Sequence, residues 1–146
     1  MTRSDFRTFF PITTRWMDND VYGHINNVTY YSYFDSAINS YLIGAGGLDI
    51  HRAPVVAYVV SSGCQYHKPV AYPDALEAGL RVSRIGTSSV TYELGIFRQG
   101  DQEPAATGQV VHVFVHREQN RPVPIPEPMR KALEDISVHD NSRHDG

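Results

Sequence analysis

Between Leu76 and His116 the chain alternates apolar and polar residues in three successive runs. In the first, Leu76, Ala78, Leu80 and Val82 fall on one face, and Glu77, Gly79, Arg81 and Ser83 on the other. Gly86 turns the chain, and Val90, Tyr92, Leu94 and Ile96 repeat the pattern. Arg98 to Gln102 reads as a hairpin turn. From Ala105 to His116, Val111, Val113 and Val115 share one face, and His112, Phe114 and His116 share the other. Side chains of an extended chain point alternately to opposite sides, so a period of two marks strands with one buried face. Runs joined by turns this short pair antiparallel. Such a sheet needs a second layer over its apolar side.

The candidate for that layer is a helix from Asn27 to about Ile43. Asn26 or Asn27 suits its N-cap and Gly44 its stop. Val28, Tyr31, Phe34, Ile38, Tyr41 and Leu42 recur at helical spacing, while Tyr30, Tyr33 and Ala37 add a second apolar face. A helix apolar on nearly all sides is usually buried. Its β-branched and aromatic content gives weak intrinsic propensity, so tertiary burial must supply most of its stability.

The remaining elements flank this pair. Residues 7–16 read as a strand, with Pro11 where no ladder bond is needed. Gly44 to Pro54 holds three glycines and reads as a loop. A long strand follows over about 54–68, where Gly63 marks a bulge or a close approach of ligand. Pro69 and Tyr72-Pro73-Asp74 make a turn. Arg121 to Pro128 holds four prolines, which excludes helix or central strand. Met129 to Ile136 reads as a short terminal helix. The order is strand, helix, then about four antiparallel strands, an α+β arrangement in one domain over residues 1–137. Residues 138–146 are expected to be a flexible polar tail.

Composition narrows the function. A chain of 146 residues can bury a core without staples. The net charge of −3, with no block of Lys or Arg, makes nucleic acid a poor partner. The single Cys64 rules out an intramolecular disulfide framework and fits a reducing compartment. The opening Met-Thr-Arg-Ser-Asp lacks an apolar signal core. The longest apolar run, Val55 to Val60, is too short to span a membrane. A cytoplasmic protein with no membrane association is the expectation. Asn27-Val28-Thr29 matches a glycosylation sequon, which carries no meaning without secretion.

The chemistry concentrates in Arg15 to Tyr31, where a polar turn carrying Asp18, Asp20, Gly23 and His24 leads into the helix. The first N–H groups of a helix lack internal partners and carry partial positive charge. They can hold a polarised carbonyl oxygen while a nearby carboxylate attacks or activates water. Asp20 reads either as that carboxylate or as a turn residue. Asp18 reads as a supporting acid that orients the turn by accepting backbone N–H bonds. A calcium loop is rejected, because counting from Asp18 the fifth position is Tyr22 and the twelfth is Thr29. No G-x-S-x-G elbow, H-E-x-x-H or Cys/His cluster occurs. His112 and His116 lie about 13 Å apart on a strand and are no metal pair.

Asp18, Asp20, Gly23, His24, Asn26, Asn27 and Tyr30 together resemble the signature of the 4-hydroxybenzoyl-CoA thioesterase-like (YbgC-like) acyl-CoA thioesterases. The Ile85-Gly86 turn and the Arg121 to Pro126 run are weaker points of similarity. The resemblance implies the hotdog fold, an antiparallel β-sheet wrapped around one long central helix. It implies hydrolysis of an acyl-CoA or acyl-carrier-protein thioester to acid and thiol, with no metal and no organic cofactor. By carry-over, Asp20 is the nucleophile or general base and the Asn27 backbone N–H the oxyanion donor, with His24 polarising the thioester, orienting Asp20 or only packing. Gly23, Asn26, Tyr30, Ser61 and Ser62 are the candidate substrate contacts, and Lys68, Arg81, Arg84 and Arg117 the candidate partners of CoA phosphates. Resembling proteins form homodimers, often homotetramers, with sites between subunits. A non-catalytic acyl-CoA-binding module and a hotdog hydratase or dehydratase are the competing readings. The first would keep the fold and lose the carboxylate. The second places its His and acid in a different pattern.

Overall fold

The three alternating runs fold as strands β3 (Ala75–Ile85), β4 (Ser89–Arg98) and β5 (Ala106–His116) of a computed structural model that describes residues 1–138. With β1 (Thr8–Thr13) and β2 (Val55–Tyr66) they make a five-stranded sheet in the order β1-β3-β4-β5-β2. Every neighbouring pair is antiparallel. The alternation read from the sequence sets the register: Leu80 lies opposite Leu94 and Ala78 opposite Ile96, so apolar side chains share one face. The inner members of β5 are Ala106, Gly108, Val110, His112 and Phe114, all buried.

Helix α1 (Thr29–Gly44) lies on that face and buries Tyr30, Tyr33, Phe34, Ala37, Ile38 and Leu42. Phe34 rests on Gly108, where any Cβ would overlap its ring. The expectation of an all-round apolar helix wrapped by the sheet needs correction. Ser32, Asp35, Ser36, Ser40 and Ile43 are exposed, so one side of α1 faces solvent. The residues read as a second face, Tyr30, Tyr33 and Ala37, belong to the core, whereas Val28 is 70% exposed. The helix also begins two residues late, because Asn26 Oδ1 accepts the Val28 N–H at 3.0 Å in a turn ahead of the helix. Helix α2 (Glu127–Asp135) starts inside the proline run, with Pro128 in its first turn, where a missing N–H costs no helical bond. Tyr41 Oη donates to the Ala132 carbonyl at 2.5 Å and ties the two helices together.

The opposite face of the sheet is covered at one end by the N-terminal segment, which opens with a turn of 3-10 helix, Arg3–Asp5. Phe6 packs over Gly79 and Gly95, which face each other in the ladder. Phe6, Phe9 and Phe97 meet edge to face with ring centroids 6.0 to 6.4 Å apart. Arg3 lies over Phe9 and Phe97 and pairs with Glu77 at 2.7 Å.

Three boundaries also differ from expectation. The first strand ends at Thr13, and Trp16–Asp18 is a turn of 3-10 helix. The irregularity of β2 falls between Val59 and Ser61, not at Gly63, whose surroundings are open. Val138 donates its N–H to the Val82 carbonyl at 2.9 Å, so the regular contacts run one residue into the expected tail. The rest of that tail lies outside the described residues.

Candidate active site

The polar stretch between β1 and α1 forms a tight hairpin. Asn19 and Ile25 bridge, Asp20 N–H donates to the His24 carbonyl at 2.8 Å, and Gly23 N–H donates to the Asp20 carbonyl at 3.1 Å. Gly23 sits at φ 82°, a conformation that side chains disfavour, in otherwise open space. Its identity follows from the turn. The hairpin is pinned from outside as well: Ile25 N–H donates to the Val70 carbonyl at 2.8 Å, and Tyr72 N–H to Asn19 Oδ1 at 3.0 Å.

Within it, Asp20 Oδ1 accepts the Tyr22 N–H at 2.9 Å and the His24 N–H at 3.4 Å. Asp20 is thus a turn-stabilising residue, as the plain reading of the sequence allowed. Only one oxygen is engaged, however; Oδ2 has no partner among the described residues. Asp20 lines an open cleft of about 390 Å³ together with Tyr22, His24, Ile25, Asn27, Tyr30, Tyr66, His67, Lys68 and Pro69. The backbone N–H of Asn27, just ahead of α1, has no partner among the described residues. Its carbonyl accepts a hydrogen bond from Tyr66 Oη at 3.0 Å. The cleft is thus lined by a residue with one unengaged carboxylate oxygen, Asp20, and by a residue with an unpaired backbone N–H near a helix start, Asn27, the two group types that oxyanion stabilisation beside an acid or base requires.

Asp18 lies behind the cleft and is 2% exposed. Its carboxylate accepts the Arg15 N–H at 3.0 Å, the Arg15 guanidinium at 3.0 and 3.2 Å, and the Tyr33 hydroxyl at 2.9 Å. Burial works against the charged form, but these donors outweigh it and hold the carboxyl below the usual carboxylate range. Its backbone carbonyl accepts the Asn26 N–H at 2.8 Å. Burial also pushes the phenol of Tyr30, on the cleft wall, up to about 12, with Cys64 adding to it, so this group is a neutral donor or acceptor at ordinary pH.

Of the residues singled out from sequence, Asp20, His24, Asn27 and Tyr30 meet in this cleft. Gly23 borders a second opening with Trp16, Met17, Asn19 and Val21. The Asn26 side chain is occupied by the helix-entry turn. Ser62 shares its register with inward-facing Val110 and Ser61 with outward-facing Val111, so the two serines lie on opposite faces, and neither lines the cleft. Of the four candidate cations Lys68 reaches its rim, where it pairs with Asp101 at 3.0 Å. Arg81 pairs with Glu93 on the outer face, and Arg117 holds the carbonyls of Ala53 and Ile50. Tyr66 and His67 are cleft residues that sequence reasoning passed over. The one local signal is their place at the end of the long β2 run; their approach to Asn27 is a matter of tertiary register. Among the described residues, no group of three or more His, Cys, Asp or Glu is placed to hold a metal ion.

Comparison with known proteins agrees with this architecture. The uncharacterized protein YsmA of Bacillus subtilis (strain 168) is 31% identical over 122 residues, which span 83% of this chain and 81% of YsmA. The crystal structure of the PA5185 protein from Pseudomonas aeruginosa strain PAO1 superposes with a TM-score of 0.92 at 54% identity, covering 93% of this chain and 95% of that one. The PA2801 protein of Pseudomonas aeruginosa gives a TM-score of 0.80 at 32% identity, over 86% and 96% of the two chains. Residues 14–133 match the sequence model of the thioesterase-like superfamily, and with a match over that span, on this hotdog-type sheet and helix, the chain belongs to that superfamily and is a thioester hydrolase.

Proposed function

We propose that this protein hydrolyses an acyl-CoA thioester to the free acid and CoA thiol, with Asp20 as the reacting carboxylate and the Asn27 N–H as oxyanion donor. An acyl-carrier-protein thioester presents the same reacting group and is the alternative substrate. The observation that carries this reading is the cleft in which Asp20 keeps one carboxylate oxygen unengaged and Asn27 offers an N–H without a partner. A thioester carbonyl is electrophilic and a thiolate is a fair leaving group. As general base, Asp20 takes a proton from water while the water oxygen bonds to the carbonyl carbon. The tetrahedral oxyanion is then held by Asn27, and its collapse breaks the C–S bond; the thiolate takes up the proton. As nucleophile, Asp20 instead attacks the carbonyl carbon, the C–S bond breaks and the thiolate leaves a mixed anhydride, and water then cleaves the anhydride to the acid and the free Asp20 carboxylate while one of its protons goes to the thiolate. Both routes need the same two groups. His24 borders the cleft as an orienting or polarising group.

A second copy of the chain completes this picture. Strand β2 pairs with β5 along one side only and exposes Tyr58, Val59, Val60 and Tyr66. A twelve-residue edge strand, apolar from Val55 to Val60, is a template for pairing with another strand. A homodimer joined along β2, alone or within a tetramer, would cover it and set the cleft, which includes Tyr66, near the interface. No helix among the described residues is long and apolar enough to cross a membrane.

The test is thiol release by the purified protein from a panel of straight-chain and aromatic acyl-CoAs. Turnover of at least one medium-chain or aromatic member is expected. Binding of acyl-CoA without turnover anywhere in the panel would replace the hydrolase mechanism with a binding role.

A further inference from the structure

The peptide that carries the Asn27 N–H is held locally by the Thr29 N–H, which donates to its Asn26 carbonyl at 2.9 Å, and from farther away by two further contacts. On one side, Tyr66 at the end of β2 donates its hydroxyl to the Asn27 carbonyl at 3.0 Å, across 39 positions of sequence. On the other, the residue before it, Asn26, donates its N–H to the Asp18 carbonyl at 2.8 Å. Asp18 is in turn fixed by the Tyr33 hydroxyl of α1 at 2.9 Å. The peptide that carries the Asn27 N–H is therefore bounded by an anchored N–H before it and an anchored carbonyl after it.

We infer that Tyr66 and Asp18 are positioning residues that clamp the Asn27 peptide and aim its N–H into the cleft. The inference rests on the thioesterase reading above and deepens it. Neither residue exchanges a proton or forms a bond in the reaction. An oxyanion donor is useful only if it is already aimed where the negative charge will develop. A misplacement of about 1 Å can cost on the order of a hundredfold in rate. The two anchors come from different parts of the fold: Tyr66 belongs to the edge strand, whereas Asp18 and Tyr33 belong to the core beneath the cleft. The ring of Tyr66 stands 5.4 Å from that of Tyr30, edge to face, so ring contacts hold the hydroxyl in place. The geometry also links β2 to the site, since a change in the path of the edge strand moves the Tyr66 hydroxyl and with it Asn27.

The test compares Tyr66→Phe, Tyr33→Phe and Asp20→Asn with the parent protein, reading kcat and KM separately on the best acyl-CoA of the panel and thermal unfolding for each. Tyr66→Phe removes one half-exposed hydroxyl and keeps the ring, so folding is expected to survive. A fall in kcat of about tenfold with KM within twofold is expected for Tyr66→Phe. A smaller fall in kcat, again with KM unchanged, is expected for Tyr33→Phe, which slackens Asp18 without touching the cleft. If Tyr66→Phe and Tyr33→Phe keep the parent kcat while Asp20→Asn loses it, the clamp is overturned and the thioesterase reading stands. If Tyr66→Phe raises KM alone, Tyr66 binds substrate and positions nothing. If Asp20→Asn keeps the parent rate, the underlying reading fails and the clamp with it.

Discussion

The Tyr33 hydroxyl and the Asp18 carboxylate meet 2.9 Å apart beneath the cleft, joining α1 to the turn that carries Asp20. Both side chains are buried, and the guanidinium of Arg15 covers the carboxylate from the solvent side. A buried charge is tolerable only when its hydrogen bonds are satisfied. Asp18→Ala removes the charge but strands the Tyr33 hydroxyl and the Arg15 N–H. A loss of about 3 kcal/mol in unfolding free energy is expected, measured by denaturant titration. The sign with pH follows from the lowered folded pKa. Asp18 contributes its stability above its ordinary value of 3.8, and that contribution is lost as pH falls through the folded value. The parent protein should therefore lose its advantage over Asp18→Ala only in strong acid.

A second acid transition has a different source. His112 is 3% exposed on the inner face of β5, its ring 5.1 Å from that of Tyr92. Neither His112 Nδ1 nor Tyr92 Oη has a hydrogen-bond partner among the described residues. Burial lowers the His112 pKa from 6.5 to about 4. The unfolded chain therefore takes up this proton first as pH falls through 6.5, and stability declines until about pH 4. The full loss is about 3 kcal/mol. His112→Leu keeps the volume, so its unfolding free energy should vary less than the parent's between pH 7 and pH 4. Equal slopes for the two proteins would contradict this.

Gly108 is expected to be intolerant of any side chain. A Cβ there overlaps the buried ring of Phe34, which has no solvent side to move toward. Gly108→Ala should destabilise by about 1–3 kcal/mol through overpacking. Combining it with Phe34→Leu should cost less than the sum of the two single changes, because the smaller side chain vacates the space. A thermal denaturation cycle over the four proteins reads this directly.

Edge pairing along β2 is open to a charge. Val60 is exposed at the irregular point of the strand, where no β5 residue is matched to it. Val60→Lys should leave the monomer fold intact and oppose strand addition. Sedimentation at matched concentrations should give a dimer or tetramer for the parent and a smaller species for the variant. An unchanged mass would place the interface elsewhere.

The centre of the sheet was legible because the alternation is unbroken from Leu76 to Val82 and from Val90 to Ile96, ahead of the shift between Val82 and Arg84, and pairing Leu80 with Leu94 needs no information from afar. The start of α1 was not. Val28 has the right spacing for the apolar stripe, but the Asn26 turn delays the helix and leaves Val28 outside. Ser61 and Ser62, adjacent on a strand, necessarily face opposite sides, and the shift between Val59 and Ser61 decides that Ser62 is the one on the inner face. Asp20, His24 and Asn27 were legible because they lie within eight residues and one hairpin brings them together. Tyr66 was invisible because its contact with Asn27 depends on where β2 ends against α1. Gly79 took an ordinary place on the polar face of its run, and the close approach of Phe6 to it and to Gly95 depends on where the N-terminal segment crosses the sheet.

Asp20 is the group on which the proposed hydrolysis depends, and the most direct measurement is kcat/KM of Asp20→Asn against the parent on one hydrolysed acyl-CoA. Asn keeps an oxygen for the Tyr22 and His24 N–H groups, so the hairpin and its thermal unfolding should persist. A loss of at least a hundredfold in rate with substrate binding retained is expected. A variant that folds, binds and turns over at the parent rate would reduce Asp20 to a turn residue and remove the proposed mechanism.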